Sequence, residues 1–364
     1  MFTQNTREES VLPFFCTDCS FLFLDRCKGP ESIETHFRED KSVHGCKDLS
    51  RREKAFSDTY DRIQRPYVTS HQDRILLPPF IPMVGTGLNL KACIGIEIFA
   101  VTLKNIVSRN GLLLINSIAE LRRRLGLQEN CKIILVCTAK DELLQRLWLN
   151  SDKNRIWEQI ANLGFWWVTS FSFSVWDDDP RVDQIVNQDR NFLTHDYLVE
   201  LGVPTIPFVF PYNDEDYESF GKWMASRRDI RIVAIFASNY QSERQYQQLL
   251  ANMRKIQAYA DRELKFLVVG ACTKAKITHI MSEFKACIVA SKPWQAAKSG
   301  EVCGDDLSYF GRADPKYIGY YEKSRDELAL VNMKRHLRFC DSFRKAKTYK
   351  PKKAVRKMNH YVEF

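Results

Sequence analysis

The sequence predicts an α/β protein built on a TIM-type (β/α) barrel, with a Cys/His-containing N-terminal arm and a C-terminal helical extension. Three observations carry that expectation. From Pro79 onward, short apolar runs alternate with polar segments of helical period. Eight such runs fall within one domain-sized stretch, the number a closed parallel barrel needs. The residues just after the runs are strongly polar although the runs are apolar, as expected where strand ends and their loops form a site. An open parallel sheet is the alternative architecture.

The expected strands are Phe80–Val84, Leu112–Asn116, Lys132–Cys137, Phe165–Phe173, Thr205–Phe210, Ile230–Ala237, Lys265–Val269 and Ala286–Ser291. Between them the sequence predicts helices over Ser117–Leu125, Glu142–Trp148, Asn154–Leu163, Pro180–Leu201, Asp216–Ala225, Ser242–Asp261 and Lys274–Phe284. Ile118, Leu121 and Leu125, like Leu249, Met253 and Ile256, recur at three- and four-residue spacing, which gives each helix one apolar stripe to lay on a sheet. A longer helix is expected over about Glu322 to Phe343. The organisation is then an arm over 1–78, a barrel with its closing helix over 79–343, and a basic tail over 344–364.

The residues after the strands define the candidate site. Gly85, Gly87 and Asn89 follow the first strand; Asp141 follows the third; Ser172, Ser174, Asp177 and Asp178 follow the fourth; Asn213 and Asp214 follow the fifth; Asn239, Gly270 and Lys292 follow the last three. Carboxylates so placed serve as general acid and base, as nucleophiles or as metal ligands. Asp177 and Asp178 are the first choices with Asp214, and Asp141 stands in reserve. There is a plainer reading: Asp177 and Asp179 turn the chain into Pro180 and cap the following helix, while Asp141 and Asp214 open helices, the latter beside Asn213 as cap. Asn187 and Arg190, three apart on one helix, either contact an anion or face solvent. Gly85 and Gly87 do not complete a phosphate-loop or dinucleotide fingerprint, so no nucleotide cofactor is expected.

In the arm, Cys16-x-x-Cys19 with Cys27 and Cys46 suits tetrahedral zinc, which takes four soft or borderline donors at about 2.0–2.3 Å. A loop-rich arm with reduced cysteines is the other reading. Cys303 and His336 form a weaker metal pair, with Cys340 one turn beyond His336. Eleven cysteines scattered through strands and loops suit free thiols in a reducing cytoplasm. Eight Lys and Arg between Arg344 and Lys357 account for most of the net charge of +9, so the basic character belongs to the tail. That run suits contact with a nucleic-acid backbone, or a solvated end. The most apolar stretch, Ala92 to Leu103, contains Glu97 and is too short to span a bilayer, so no membrane association is expected.

Two resemblances add to this reading. The run from Lys132 to Pro204 combines a strand leading into the acidic helix KDELLQRLW, the turn FSVWDDDP, the helix VDQIVNQDRNF and the start of GVPTIP. It resembles an uncharacterised domain family of phages and mobile elements, which implies a setting in the host cytoplasm rather than a reaction. Tyr320 to Phe339, YYEKSRDELALVNMKRHLRF, is similar to the closing helix of tRNA-guanine transglycosylases, where such a segment carries a zinc-binding histidine. The family's C-x-C-x-x-C and D-S-G-G-F-Q motifs are absent, which puts its zinc site and its usual acid in doubt. The resemblance implies exchange of a guanine-like base in nucleic acid, DNA rather than tRNA given the phage-like run, with an aspartate attacking C1′. A non-catalytic nucleic-acid-binding accessory protein and a metal-dependent hydrolase of a small nucleotide are the competing expectations.

Overall fold

The computed structural model describes residues 69–93, 95–175 and 181–345, with backbone alone at 92, 181–183 and 345. The zinc candidates Cys16, Cys19, Cys27 and Cys46, together with Asp177, Asp178 and the tail beyond Lys345, lie outside the described residues.

The architecture is α/β, with two four-stranded sheets whose strands are all parallel. One sheet has β2 (Ile98–Thr102), β3 (Lys132–Val136), β4 (Trp167–Thr169) and β5 (Thr205–Ile206) in that order. The other sets β1 (Phe80–Pro82) beside β8 (Ala286–Ala290), then β7 (Lys265–Val269) and β6 (Ile232–Phe236). Neither sheet closes on itself. Single parallel bridges, Met83 with Ala100 and Phe208 with Ala234, connect β1 to β2 and the end of β5 to β6.

Parallel neighbours require crossover connections, and the helices supply them. They are α1 (Ile118–Leu125), α2 (Asp141–Leu149), α3 (Ser151–Asn154), α4 (Ile156–Asn162), α5 (Arg181–Glu200), α6 (Asp214–Ser226), α7 (Glu243–Tyr259) and α8 (Lys274–Glu283). After β8 come α9 (Lys292–Lys298), the small antiparallel pair β9 (Val302–Cys303) and β10 (Tyr309–Phe310), and the long α10 (Arg325–Lys345). Local chemistry sets several helix starts. Ser117, Asn213, Ser242 and Thr273 each accept a hydrogen bond from a first-turn amide, satisfying a donor that the helix itself leaves unpaired.

The second strand lies earlier than the sequence suggests. Leu112–Asn116 is not a strand: Leu113 makes one antiparallel bridge with Val107, while Leu112 and Leu114 are exposed. The strand is instead Ile98–Thr102, inside the apolar stretch set aside as too short for a membrane, and it pairs with β3 along its whole length. An apolar run of five residues fits a buried strand as well as any other, and what selects this one is burial between neighbours. Among the described residues, no helix is long and apolar enough to cross a membrane.

Side-chain alternation along the strands divides the core in two directions. One set packs against helices: Phe80, Val233, Phe266 and Ile288 lie with α6, α7 and α8, and Phe99, Leu135 and Val168 with α1, α2 and α4. The other set is a single cluster drawing on all eight parallel strands, including Ile81, Ala100, Ile134, Trp167, Ile206, Ile232, Leu267 and Cys287.

The β5–β6 junction, where pairing is sparse, is held by a side chain. Gln72 is buried; its Nε2 donates to Thr205 O and Ile232 O at 3.1 and 3.0 Å, and its Oε1 accepts from Arg231 N and Ile232 N at 2.7 and 2.8 Å. The amide thereby does the work of a missing strand pairing. Residues 69–78, grouped by composition with the arm, thus contribute Gln72, Ile75 and Leu77 to the packed fold. At the other end of the chain, Arg344 donates to Leu77 O and ties the end of α10 to this segment.

Candidate functional site

The C-terminal edge of β3 and β4 carries a polar network of side chains, and α5 organises it. This helix is buried although it lacks an apolar stripe: Gln184, Asn187, Gln188, Asp189, Arg190, Asn191, Thr194 and His195 are all at most 5% exposed. Burying so many polar groups is tolerated only if they are hydrogen-bonded. Asn187, Asn191 and Thr194 share one helix face, and that face grips the backbone leaving β4. Thr194 Oγ1 accepts from Phe171 N at 3.0 Å, Asn191 Oδ1 accepts from Phe173 N at 2.8 Å while its Nδ2 donates to Phe173 O at 3.1 Å, and Asn187 Nδ2 donates to Ser174 O at 2.8 Å. Three side chains therefore replace a strand partner for residues 171–174.

The held segment presents Ser174 to Asp141. Ser174 donates from Oγ and from its backbone amide to Asp141 Oδ1 at 3.0 and 3.4 Å. Asp141 is the first residue of α2, where the helix dipole also favours a negative charge. One turn along, Gln145 accepts from Arg190 at 2.9 Å. The Arg190 guanidinium lies 5.3 Å from the ring centroids of both Trp148 and Phe173, a desolvated setting in which cation–π attraction adds to the hydrogen bonds. Ser172 closes the layer by donating to Cys137 O. Asp141, Ser172, Ser174, Asn187 and Arg190, named separately from the sequence, thus come together in one network.

The adjacent residue on α5 reaches the other way. Gln188 Nε2 donates to Asp216 Oδ2 at 2.7 Å, and Asp216 also accepts from Tyr212 N at 3.1 Å. Asp216 is 1% exposed and completes the capping box begun by Asn213. The helix therefore fixes the loops after both β4 and β5. Asp214 is not part of this network: its side chain is 75% exposed and pairs with Lys255 at 2.9 Å, a surface geometry of small energetic worth.

The remaining residues follow the strands of the other sheet. Asn89 caps a 3₁₀ turn and donates from its amide to Asp326; Asn239 is exposed after β6; Lys292 faces Glu301 at 3.4 Å and lies over the Tyr309 ring. Gly270, at φ +95°, lies so close to Ser238 that a Cβ there would collide with that side chain. Asn191, Thr194, Gln188, Gln145 and Asp216 are the contributors that sequence reasoning missed. The available signal was the run NQDRN inside a helix with no apolar face.

Cys303 and His336 do approach one another, but through a tyrosine. Tyr309 OH meets His336 Nε2 at 2.8 Å and also bonds the Cys303 thiol. Burial pushes the Cys303 thiol up to about 11, so it is held as a neutral thiol. Among the described residues no group of three or more His, Cys, Asp or Glu side chains is arranged to hold a metal ion.

His336 is fully buried, and burial lowers its pKa to about 4. A histidine whose folded value lies below its unfolded value of about 6.5 favours folding above 6.5 and takes that stability away as pH falls toward 4. Lowering the pH from 7 to 5 is expected to cost about 2 kcal/mol through this group. Urea melts of the wild type and His336→Phe at the two pH values check this, the variant lacking that share of the loss.

A second expectation concerns the α5 grip. Asn191→Ala leaves Phe173 N and O without their buried partners and is expected to destabilise the fold by about 2–3 kcal/mol. Hydrogen exchange should show the Phe173 and Ser174 amides losing protection before those of β7.

No protein-family model matches the chain, and no curated protein matches it.

Proposed function

We propose that the protein is a base-exchange enzyme of the transglycosylase type, acting on a guanine-like base in nucleic acid, DNA in preference to tRNA. The observation that carries the reading is the buried network converging on Asp141, where a carboxylate is oriented by Ser174 and backed by Asn187 and Arg190. Preorganised polar groups at adjoining strand ends are what an enzyme needs at a reacting centre, and here the grip that holds the loop after β4 also aims Ser174 at a carboxylate. The resemblance of Tyr320 to Phe339 to the transglycosylase closing helix supplies the reaction class, and the phage-like run from Lys132 to Pro204 favours DNA.

In the proposed step, an Asp141 oxygen attacks C1′ of the target nucleoside and the C1′–N9 bond breaks. Its electron pair leaves with the base, which takes a proton from a second acid. That acid is assigned to Asp177 or Asp178, three and four residues beyond Ser174 in sequence. A free 7-deazaguanine-type base then returns the proton as its ring nitrogen displaces the carboxylate from C1′. The exposed and ion-paired Asp214 takes no part.

We propose too that the two sheets are halves of one closed eight-stranded barrel. The bridges at Met83–Ala100 and Phe208–Ala234, the Gln72 amide at the β5–β6 junction and the cluster fed by all eight strands support that closure. It would set the network of Asp141 at the rim of a common mouth.

The test is exchange of radiolabelled guanine. Purified full-length protein, incubated with guanine-labelled DNA or tRNA and an excess of unlabelled 7-deazaguanine-type base, should release label. Retention of all label in both polymers would contradict the reading.

A further inference from the structure

The chain after β1 is closely packed: a Cβ on Gly85 would stand 3.0 Å from Cη2 of Trp294, and one on Gly87 3.2 Å from Lys298 Nζ. Open space lies instead beside the turn that follows β2. A groove of about 550 Å³ is lined there by Leu112 and, from the α3–α4 stretch, by Lys153, Asn154, Arg155, Gln159 and Asn162, with Glu158 among them. Ser108 N donates to Leu112 O at 2.8 Å and Gly111 N to Ser108 O at 3.0 Å, which closes a tip of Arg109, Asn110 and Gly111. A Cβ on Gly111 would meet Leu147 and Arg146 at 3.6 and 3.7 Å, so the tip lies on α2. Leu112 and Leu114 remain 54% and 44% exposed.

Cations border this groove. Arg146 of α2 donates to Arg109 O, and Arg124 of α1 donates to Leu114 O at 2.8 Å, which brings both guanidinium groups to the turn. Arg109 and Lys153 are exposed, and the Arg155 side chain is 74% exposed. Among the described residues, Arg155 is the one of these five with an ion pair, to Glu158 at 3.4 Å. Against the five cations the same elements set Glu142, Asp152 and Glu158, while Glu120 is turned to the start of α1, accepting from Asn116 N at 2.9 Å. The rim keeps a net positive charge. Arg155 also has φ +47°, a left-handed conformation at the joint of α3 and α4 that favours glycine. The chain thus carries a cation where its backbone would prefer no side chain.

We propose that this groove holds the sugar-phosphate backbone of a nucleic-acid strand. Lys153 and Arg155 pair with phosphates, Asn154 and Asn162 donate amide hydrogen bonds, and Leu112 packs on a sugar, contacts that position a strand without reading its sequence. The charge and the donors call for a polyanion; the choice of nucleic acid rests on the proposed function. Helix α2 joins the groove to the candidate site, since Asp141 opens it and Arg146 lies about 7.5 Å farther along its axis.

The experiment is fluorescence anisotropy of a labelled short single-stranded oligodeoxynucleotide with the full-length protein, repeated over a range of salt. The basic tail is the same in every protein compared, so differences between them belong to the groove. Lys153→Gln with Arg155→Gln is expected to weaken binding about twentyfold at about 0.1 M salt and to lower the slope of log affinity against log salt by about 1.4, the loss of two phosphate contacts. Arg155→Gly should weaken binding yet melt no lower than the wild type, which separates contact from structure. Thermal melts verify that the double variant folds. Weakened binding with a reduced slope supports the groove. If guanine exchange is absent at the same time, the groove stands and the base-exchange reading falls. Unchanged affinity, or weakening without a change of slope, overturns the proposal whatever the exchange assay shows. A poly-Glu peptide weakened as strongly as the oligonucleotide by the same variants overturns the assignment to nucleic acid.

Discussion

Asp141→Asn is expected to lower label release in the guanine-exchange assay by at least about a thousandfold, the order of loss seen when a nucleophile is removed, while changing stability by less than about 1 kcal/mol. The reasoning is geometric. Asparagine keeps an Oδ1 that can accept from Ser174 Oγ and N, so the loop after β4 retains its anchor. What disappears is the negative charge that attacks C1′. Asp214→Asn is the paired control, because that residue is exposed and its partner Lys255 is itself half exposed. It should leave both exchange and stability near wild type. Equal loss in the two variants would detach the chemistry from Asp141.

The second large effect is on folding. Gln72→Ala removes four hydrogen bonds at once and strands Thr205 O, Ile232 N, Ile232 O and Arg231 N at the junction of β5 and β6. Buried groups left without partners cost about 1–3 kcal/mol each, and water entering the gap recovers part of that. A net loss of about 3–5 kcal/mol is expected in urea melts. Gln72→Glu should be nearly as harmful, because a carboxylate keeps the acceptor but cannot donate to the two carbonyls. If Gln72→Ala melted like the wild type, the junction would be held by something other than this amide.

Much of the scaffold is legible because it follows from local rules. Seven of the eight expected runs became strands, and caps such as Ser117 and Asn213 lie where their side chains satisfy first-turn amides. Leu112–Asn116 misled because an apolar run is ambiguous until neighbours decide its burial, and here Leu112 and Leu114 face solvent. The site was legible only in outline. Asp141, Ser174, Asn187 and Arg190, picked out separately along the sequence, converge in one hydrogen-bonded network. Position after a strand could not tell Asp216, buried and bonded to Gln188, from Asp214 two residues earlier and exposed.

The helix α5 hides its role for a physical reason. Periodicity reads polar residues as solvent-facing, yet Asn187, Asn191 and Thr194 are buried because the chain leaving β4 needs hydrogen-bond partners that no neighbouring strand supplies. Gln72 escaped notice likewise: it sits before the first strand in a polar segment, and its partners lie more than a hundred residues away.

The central claim is that the network at Asp141 changes a base in nucleic acid. It is tested most directly by mass analysis of nucleosides from the DNA and tRNA of otherwise identical cells carrying no gene, the wild-type gene or the Asp141→Asn gene. The account predicts a guanine-derived nucleoside of altered mass in the wild-type cells alone. Identical profiles in all three, with the protein present and folded, would contradict it.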